Sequence, residues 1–281
     1  REFSWPLYRW DYWRWHVNAN IFRFSLEAAV FLWETAEGRL VAVLHPDGPG
    51  EAFSEVHPAF RSAELEVAML SVAETQFATT QADGSQRLVL WAHEGDTLRR
   101  DLLARRGYVR HGAPEFQRRR PMDQPIQDFR PAERYTIRSL GDAGELPARS
   151  WLSWRAFHPD EPDDKYEGWE WYRNVQRAPL YCRDLDLVAV APDGELAAFC
   201  TVWFDDVTRT AAFEPVGTHP AHRRRGLGKA LLAEGLRRVE RLGATLATVG
   251  SYSEAAGALY ASVGFTAYDL SEPWVYVKRD A

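Results

Sequence analysis

The chain has 281 residues, 46% of them apolar, and a formal net charge of −6. That length suits one large domain or two ordinary ones, and the acidic balance argues against a dedicated nucleic-acid binder. Two cysteines exclude a disulfide framework and a cysteine-rich zinc site and suit a reducing cytoplasm, and no apolar run reaches the roughly eighteen residues of a membrane helix.

The first segment, "REFSWPLYRWDYWRWHV", lacks the apolar core and small residues of a signal peptide. After Trp13-x-Trp15 and Asn18 comes "VFLWETAEGRLVAVL", two apolar β-rich runs around a polar turn at Gly38, which predicts a hairpin. His57-Pro58-Ala59 and Arg61 follow, then "LLARRGY" at 102–108. "RRRPMDQPIQDFRPAER" (118–134) is rich in proline and charge and reads as a linker.

Beyond it the pattern predicts a strand over 135–140, a helix within 144–157, a Trp-rich helix over 163–175 and hairpin strands over 185–191 and 195–204. A strand over 210–218, a glycine loop, and a helix over 226–242 with apolar Leu227, Ala230, Leu231, Leu236 and Val239 come next. A strand over 245–251, a short helix over 253–262 and closing strands over 265–270 and 273–279 complete the order. Strands alternating with helices indicate an α/β class with a partly parallel mixed sheet.

The two halves echo each other. Trp13-x-Trp15, Asn18 and Gly38 match Trp169-x-Trp171, Asn174 and Gly194 at an offset of 156 residues. The offset then grows by six, ascribed to the loop "FDDVTRT", so that His57-Pro58-Ala59 meets His219-Pro220-Ala221. "LLARRGY" meets "LYASVGF" (259–265). The ordered matches predict two copies of one fold, residues 1–120 and 135–281, joined by a linker over 121–134. The first copy has no residues for an opening strand and helix, so it is either trimmed or incomplete.

"THPAHRRRGLGKALL" (218–232) carries the chemistry. Gly226 and Gly228 allow positive φ and close backbone approach. The N–H groups of such a loop, with the positive end of the following helix, suit a pyrophosphate. A solvated basic turn is the alternative reading. The loop is not a Walker A motif, because Ala230 follows Lys229, and Leu231 stands where a dinucleotide fingerprint needs a third small residue.

"VGTHPAHRRRGLGKALL" resembles motif A of the GNAT superfamily, [Arg/Gln]-x-x-Gly-x-[Gly/Ala] between the fourth strand and third helix. "SEAAGALYASVGF" (253–265) resembles its N-x-x-A-x-x-L-Y-x-x-x-G-F segment, with Ser253 in place of Asn. The resemblance covers 135–281, and residues 1–120 resemble a degraded second copy. It implies two domains, each a mostly antiparallel mixed sheet flanked by helices, with a splayed and bulged fourth strand. Pro215 within "FEPVGT" fits a bulge independently.

The resemblance further implies acetyl-CoA as cosubstrate, with Arg223, Arg224, Arg225, Gly226, Leu227, Gly228 and Lys229 at its pyrophosphate. Backbone groups of Val216, Gly217 and Thr218 fall at the pantetheine and acetyl carbonyl, and Ser253 lies on the cofactor side. Acetyl transfer to an amine by direct attack follows, with Tyr260 as the acid that protonates the leaving thiolate. Glu214 is the first candidate base and His219 the second; the silent copy also holds a histidine there, His57, which points to an architectural role.

No metal site is expected, since His219 and His222 lack further ligands at suitable spacing, and Cys200 reads as strand packing. In the first copy "SAELE" follows Arg61 and Leu103 stands in the place of Tyr260. Without glycines, and with Glu64 and Glu66 repelling phosphate, residues 1–120 are expected neither to bind acetyl-CoA nor to catalyse.

The acceptor is expected to be a small amine-bearing molecule, with no nucleic-acid or membrane partner. Trp169, Trp171, Tyr172 and residues 202–206 are placed at its pocket; Asp205 and Asp206 either attract a cationic amine or form a solvated turn. A thiol-precursor amine is one sub-class, with no residue marker selecting it. An acyl-CoA sensor or scaffold without turnover, and a peptide or protein N-acetyltransferase, remain as other readings.

Overall fold

The computed structural model describes residues 7–278. The chain divides into two compact units that are not contiguous in sequence: 7–13, 17–115 and 269–278 form the first, and 14–16 with 116–268 the second. These bounds differ from a simple division at residues 120 and 135.

The first unit contains α1 (Leu7–Tyr12), α2 (Leu26–Ala29), β1 (Phe31–Glu34), β2 (Leu40–Gly48), β3 (Glu51–Val56), α3 (Ala63–Gln76), β4 (Thr79–Thr80), β5 (Gln86–His93), α4 (Thr97–Arg105) and β6 (Val109–Arg110). The second contains all but Glu115 of β7 (Glu115–Pro121), then β8 (Thr136–Ser139), α5 (Leu146–Phe157), α6 (Tyr172–Val175), β9 (Asp186–Val190), β10 (Leu196–Asp205), β11 (Thr210–Thr218), α7 (Leu227–Arg241), β12 (Leu246–Ser251) and α8 (Glu254–Ala261). The last strand, β13 (Ala267–Lys278), enters the first unit from Asp269 onward.

Strand order is β1-β2-β3-β5-β13 in the first unit and β7-β12-β11-β10-β9-β8 in the second. Pairing along these paths is antiparallel except for β3–β5 and β11–β12, which are parallel. The closing strands are exchanged: Ser271–Lys278 pair with β5, while Phe116–Pro121 pair with β12.

The duplication is visible in matched turns. Gly38 N–H donates to the Thr35 carbonyl at 2.9 Å and Gly194 N–H to that of Ala191 at 3.0 Å, both glycines with positive φ. Tyr108 N–H returns to Leu103 and Phe265 N–H to Tyr260, each at 3.0 Å, past Gly107 and Gly264 at positive φ. Counterparts of β8 and α5 are absent from the first unit among the described residues.

The predicted apolar face of α7 is buried in the second core, with Leu227, Ala230, Leu231, Leu236 and Val239 all shielded from water. Two predicted elements differ. Residues 163–175 do not form one helix: Gly168 takes φ +99°, which breaks an α-helix, leaving short turns at Asp163–Lys165 and Tyr172–Val175. The two closing strands predicted over 265–279 are one strand, because Ser271–Glu272–Pro273 offers no turn residue with positive φ and pairs straight through with β5.

Candidate active site

The site is built where β11 leaves β12. The two strands pair only at Thr210–Ala212, so the backbone of Phe213–Thr218 on that side is released from the ladder. On the other side β11 follows β10, but Cys200 faces Val216 while Val202 faces Phe213. Two residues, Glu214 and Pro215, therefore stand opposite Thr201, which defines a bulge. The expected splay and bulge are both present. Gly217 is required by a close approach: an added Cβ would lie 2.4 Å from the Phe199 ring.

Past Thr218 the chain turns through His219-Pro220-Ala221. His219 Nδ1 accepts from Ala221 N–H at 3.2 Å, and His57 Nδ1 accepts from Ala59 N–H at the same distance. This shared cap gives both histidines one architectural role. Burial and the nearby His222 and Arg155 hold the His219 imidazolium pKa below its usual value.

Arg224 and Gly226 then take φ +61° and +74°, and the first bond of α7 runs from Ala230 N–H to the Gly226 carbonyl. The amides of Gly226, Leu227, Gly228 and Lys229 thus precede the first helical bond, and α7 has no side-chain cap. Leu227 contributes backbone only, because its side chain is core.

The glycines divide their work differently from the reading as two loop glycines. Gly226 supplies the left-handed turn, whereas Gly228 makes room for Leu259 of α8, which would be 3.1 Å from an added Cβ. Arg223, Arg224 and Arg225 are exposed. Arg223 reaches the Ala156 carbonyl at 3.4 Å, Arg225 lies over the Tyr135 ring and Lys229 over that of Phe129.

The segment 121–134 also takes part, which composition did not reveal. Ala132 N–H donates to the Arg225 carbonyl at 3.0 Å, and the Arg130 carbonyl stands 3.4 Å from where a Gly226 Cβ would be. Arg120, buried at the end of β7, donates to the carbonyls of Val263, Gln124 and Pro125 at 3.2, 2.9 and 3.0 Å, fixing the start of this segment.

Tyr260 is buried on α8 against Phe265. Burial raises its phenol pKa, and Cys200 and Glu214 add to the rise. The Cys200 thiol is itself pushed up by burial, which suits packing rather than nucleophilic chemistry. Ser253 Oγ accepts from Ala256 N–H at 3.2 Å and caps α8. Asp205 closes the β10–β11 hairpin by accepting from Val207 N–H at 2.9 Å and the Thr208 hydroxyl at 2.7 Å.

Beneath the bulge lies a cluster with no marker in the sequence. Tyr172 belongs to it rather than to a pocket wall: its hydroxyl donates to Asp186 Oδ2 at 2.6 Å. Asp186 also faces Arg149 of α5, and both are wholly buried. Trp169 lies under Arg173, and Trp171 packs on His16. Among the described residues no group of three or more His, Cys, Asp or Glu is placed to hold a metal ion, and no helix is long and apolar enough to cross a membrane.

In the first unit β3 and β5 part after Glu51 and Ala52, but the gap is filled from within. Arg61 donates to Glu66 at 2.7 Å and Asp96 at 2.6 Å, and Arg99 donates to both oxygens of Glu66 at 3.1 Å. Arg99 Nη1 takes the Ser54 carbonyl at 3.1 Å; Ser54 has the strand position that Val216 has in the second unit. Glu66 is therefore not the free repelling charge expected of it but the centre of a neutralised plug.

Residues 146–265 match the acetyltransferase (GNAT) family model. A mycothiol acetyltransferase of Kineococcus radiotolerans is 31% identical over 229 residues, 78% of this chain and 71% of that protein. The chain belongs to the GNAT acetyltransferase family. In fold it is similar to a GCN5-related N-acetyltransferase of Sphaerobacter thermophilus (TM-score 0.66, 20% identity, 92% of this chain and 83% of that one). It is likewise similar to a tandem GNAT protein of the clavulanic acid biosynthesis pathway (TM-score 0.68, 19% identity, 92% and 86%). The protein is thus an acyltransferase with two GNAT-like units.

Proposed function

We propose that the second unit transfers the acetyl group of acetyl-CoA to the amine of a small molecule by direct attack. The observation that carries this reading is the released backbone of Phe213–Thr218 running into the Arg224–Gly226 turn and the uncapped start of α7. Loop amides from Arg223 to Lys229 hold the pyrophosphate, where several N–H groups and a helix dipole favour negative charge. Val216, Gly217 and Thr218 offer backbone groups to the pantetheine arm, and Ser253 borders the cofactor side.

Acetyl-CoA supplies the activated thioester. Glu214 removes the proton from the attacking ammonium, and an amide of β11 donates to the acetyl oxygen as charge develops there. Tyr260 stays protonated through the neutral range because burial disfavours its phenolate. It gives its proton to the departing sulfur, whose own thiolate is disfavoured by the same dry surroundings.

The relative's name, mycothiol acetyltransferase, supports a small acceptor related to a thiol metabolite. Both cysteines are free, which suits the proposed cytoplasmic setting. The first unit, filled by its Arg99–Glu66 pair, takes no acetyl-CoA. Calorimetric titration should therefore find one acetyl-CoA per chain, and thiol release should appear with a panel of small amines. Two cofactors per chain would sink the assignment of the silent unit. Binding without thiol release across the panel would turn the reading toward a sensor.

A further inference from the structure

We propose that Asp186, with Arg149 and Thr201, and the indole of Trp203 are positioning residues: together they hold the bulge that presents Glu214. The inference rests on the proposed role of Glu214 as base.

Thr201 is the residue left opposite the two bulged positions. Its hydroxyl donates to Asp186 Oδ1 at 3.1 Å and accepts from Arg149 Nη2 at 3.1 Å. Arg149 Nε lies 3.4 Å from the same carboxylate oxygen. The other oxygen of Asp186 receives the hydroxyls of Tyr172 at 2.6 Å and Tyr181 at 2.9 Å. Tyr181 in turn packs edge-on against Trp203, two residues beyond Thr201 and on the same face of β10. Trp203 Nε1 donates to the backbone carbonyl of Glu214 at 2.5 Å. One end of the cluster thus fixes the strand facing the bulge, and the other end ties the bulged carbonyl itself.

Stability does not account for such an arrangement. A wholly buried ion pair gives little net stabilisation over well-packed apolar residues of the same volume, so we assign this pair a geometric role. The first unit is an internal control. There Leu44, His45 and Pro46 face Ser54, Phe53 and Ala52 one for one, with no bulge in β3. At the 156-residue offset, Asp186, Thr201 and Trp203 correspond to Val30, His45 and Asp47. At the matching place among the described residues of the first unit neither the cluster nor a bulge in β3 is found; its register shift lies instead on β2, at Asp47.

The test is a mutant cycle between Trp203→Phe, which removes the indole N–H together with its fused five-membered ring, and Glu214→Gln. Each variant is assayed for kcat, KM for acetyl-CoA and the pH dependence of kcat. Trp203→Phe is expected to lower kcat about tenfold or more, within the range that general acid–base groups supply, while KM for acetyl-CoA stays within about twofold. Because Trp203 acts through Glu214, the double variant should be no slower than Glu214→Gln alone. The acidic limb of the pH profile that Glu214→Gln abolishes should move in Trp203→Phe and in Asp186→Asn.

A double variant slowed by the product of the two single effects would overturn the proposal, as would a wild-type profile in Trp203→Phe. If Glu214→Gln keeps full activity, the base assignment fails by itself. In that case exchange of the Trp203 indole proton decides for the cluster: slow in the wild type and accelerated in Asp186→Asn if the chain of contacts holds, unchanged if it does not.

Discussion

At the same place in each unit two parallel strands part company, and what fills the gap separates the units. In the first, β3 and β5 diverge after two residue pairs and Arg99 reaches across to the Ser54 carbonyl. In the second, β11 and β12 diverge after three, which leaves the backbone of Phe213–Thr218 outside that ladder. The helix that follows is capped by Ser62 Oγ, 3.2 Å from Leu65 N–H, in one unit and has no side-chain cap in the other. A shared backbone thus becomes either a self-satisfied scaffold or the groove proposed above for the cofactor, according to whether the chain spends its own polar groups on itself.

The sharpest way to break this contrast is to give the second unit a loop that cannot turn. Gly226→Val places a β-branched residue at φ +74°, and acetyl-CoA binding should be lost by calorimetry with the fold retained by circular dichroism. Gly228→Val should instead lower Tm as well, because its side chain meets Leu259. Next, Tyr260→Phe should cut kcat by about 10²- to 10⁴-fold with acetyl-CoA affinity kept, in stopped assays of thiol release.

The rise in the Tyr260 pKa has a sign: the folded protein holds this proton more tightly than the unfolded chain does. Its contribution to stability is full below the ordinary tyrosine value near 10 and fades as pH climbs through the raised one. Denaturation midpoints of the wild type should therefore fall above about pH 10 more steeply than those of Tyr260→Phe.

Opening the plug of the first unit should touch stability rather than turnover. Glu66→Ala leaves Arg61 and Arg99 without their shared carboxylate, both guanidiniums being largely buried. Breaking a buried pair in this way costs about 3–5 kcal/mol, measurable by urea unfolding, with the acetyl-CoA stoichiometry still one. The smallest effect is expected at the shared turn: His219→Ala and His57→Ala should each cost about 1 kcal/mol, as lost capping residues do. Neither should remove a limb of the kcat–pH profile; loss of a limb in His219→Ala would make that histidine the base.

Features carried by neighbours in sequence were legible in the sequence itself. The hairpin at Gly194, the turn at His219-Pro220-Ala221, the bulge at Pro215 and the apolar face of α7 each follow from a few adjacent residues whose backbone needs are specific. The six-residue growth of the offset is not confined to the loop "FDDVTRT". One of those residues is the bulge itself, since Phe53 alone matches the place of Glu214 and Pro215 between the flanking pairs.

Features that depend on distant partners were not legible. Arg149, Asp186 and Thr201 are separated by 37 and 15 residues, and none carries a spacing that betrays the other two. Ala132 looks like any linker residue until its amide meets Arg225. The role of Gly228 was hidden because a glycine needed for helix contact reads the same as one needed for a ligand.

The exchanged closing strands bear on how the protein can be taken apart. A gene fragment beginning at residue 122 would carry β13 without β5 and present β12 with a bare edge, the condition that leads strands to aggregate. A fragment over residues 116–268 keeps the β7–β12 ladder and is the portion to express when the second unit is wanted alone. The two copies are thus no longer interchangeable modules: a recombination at the junction between them would break both sheets, so that duplication here has become a one-way step.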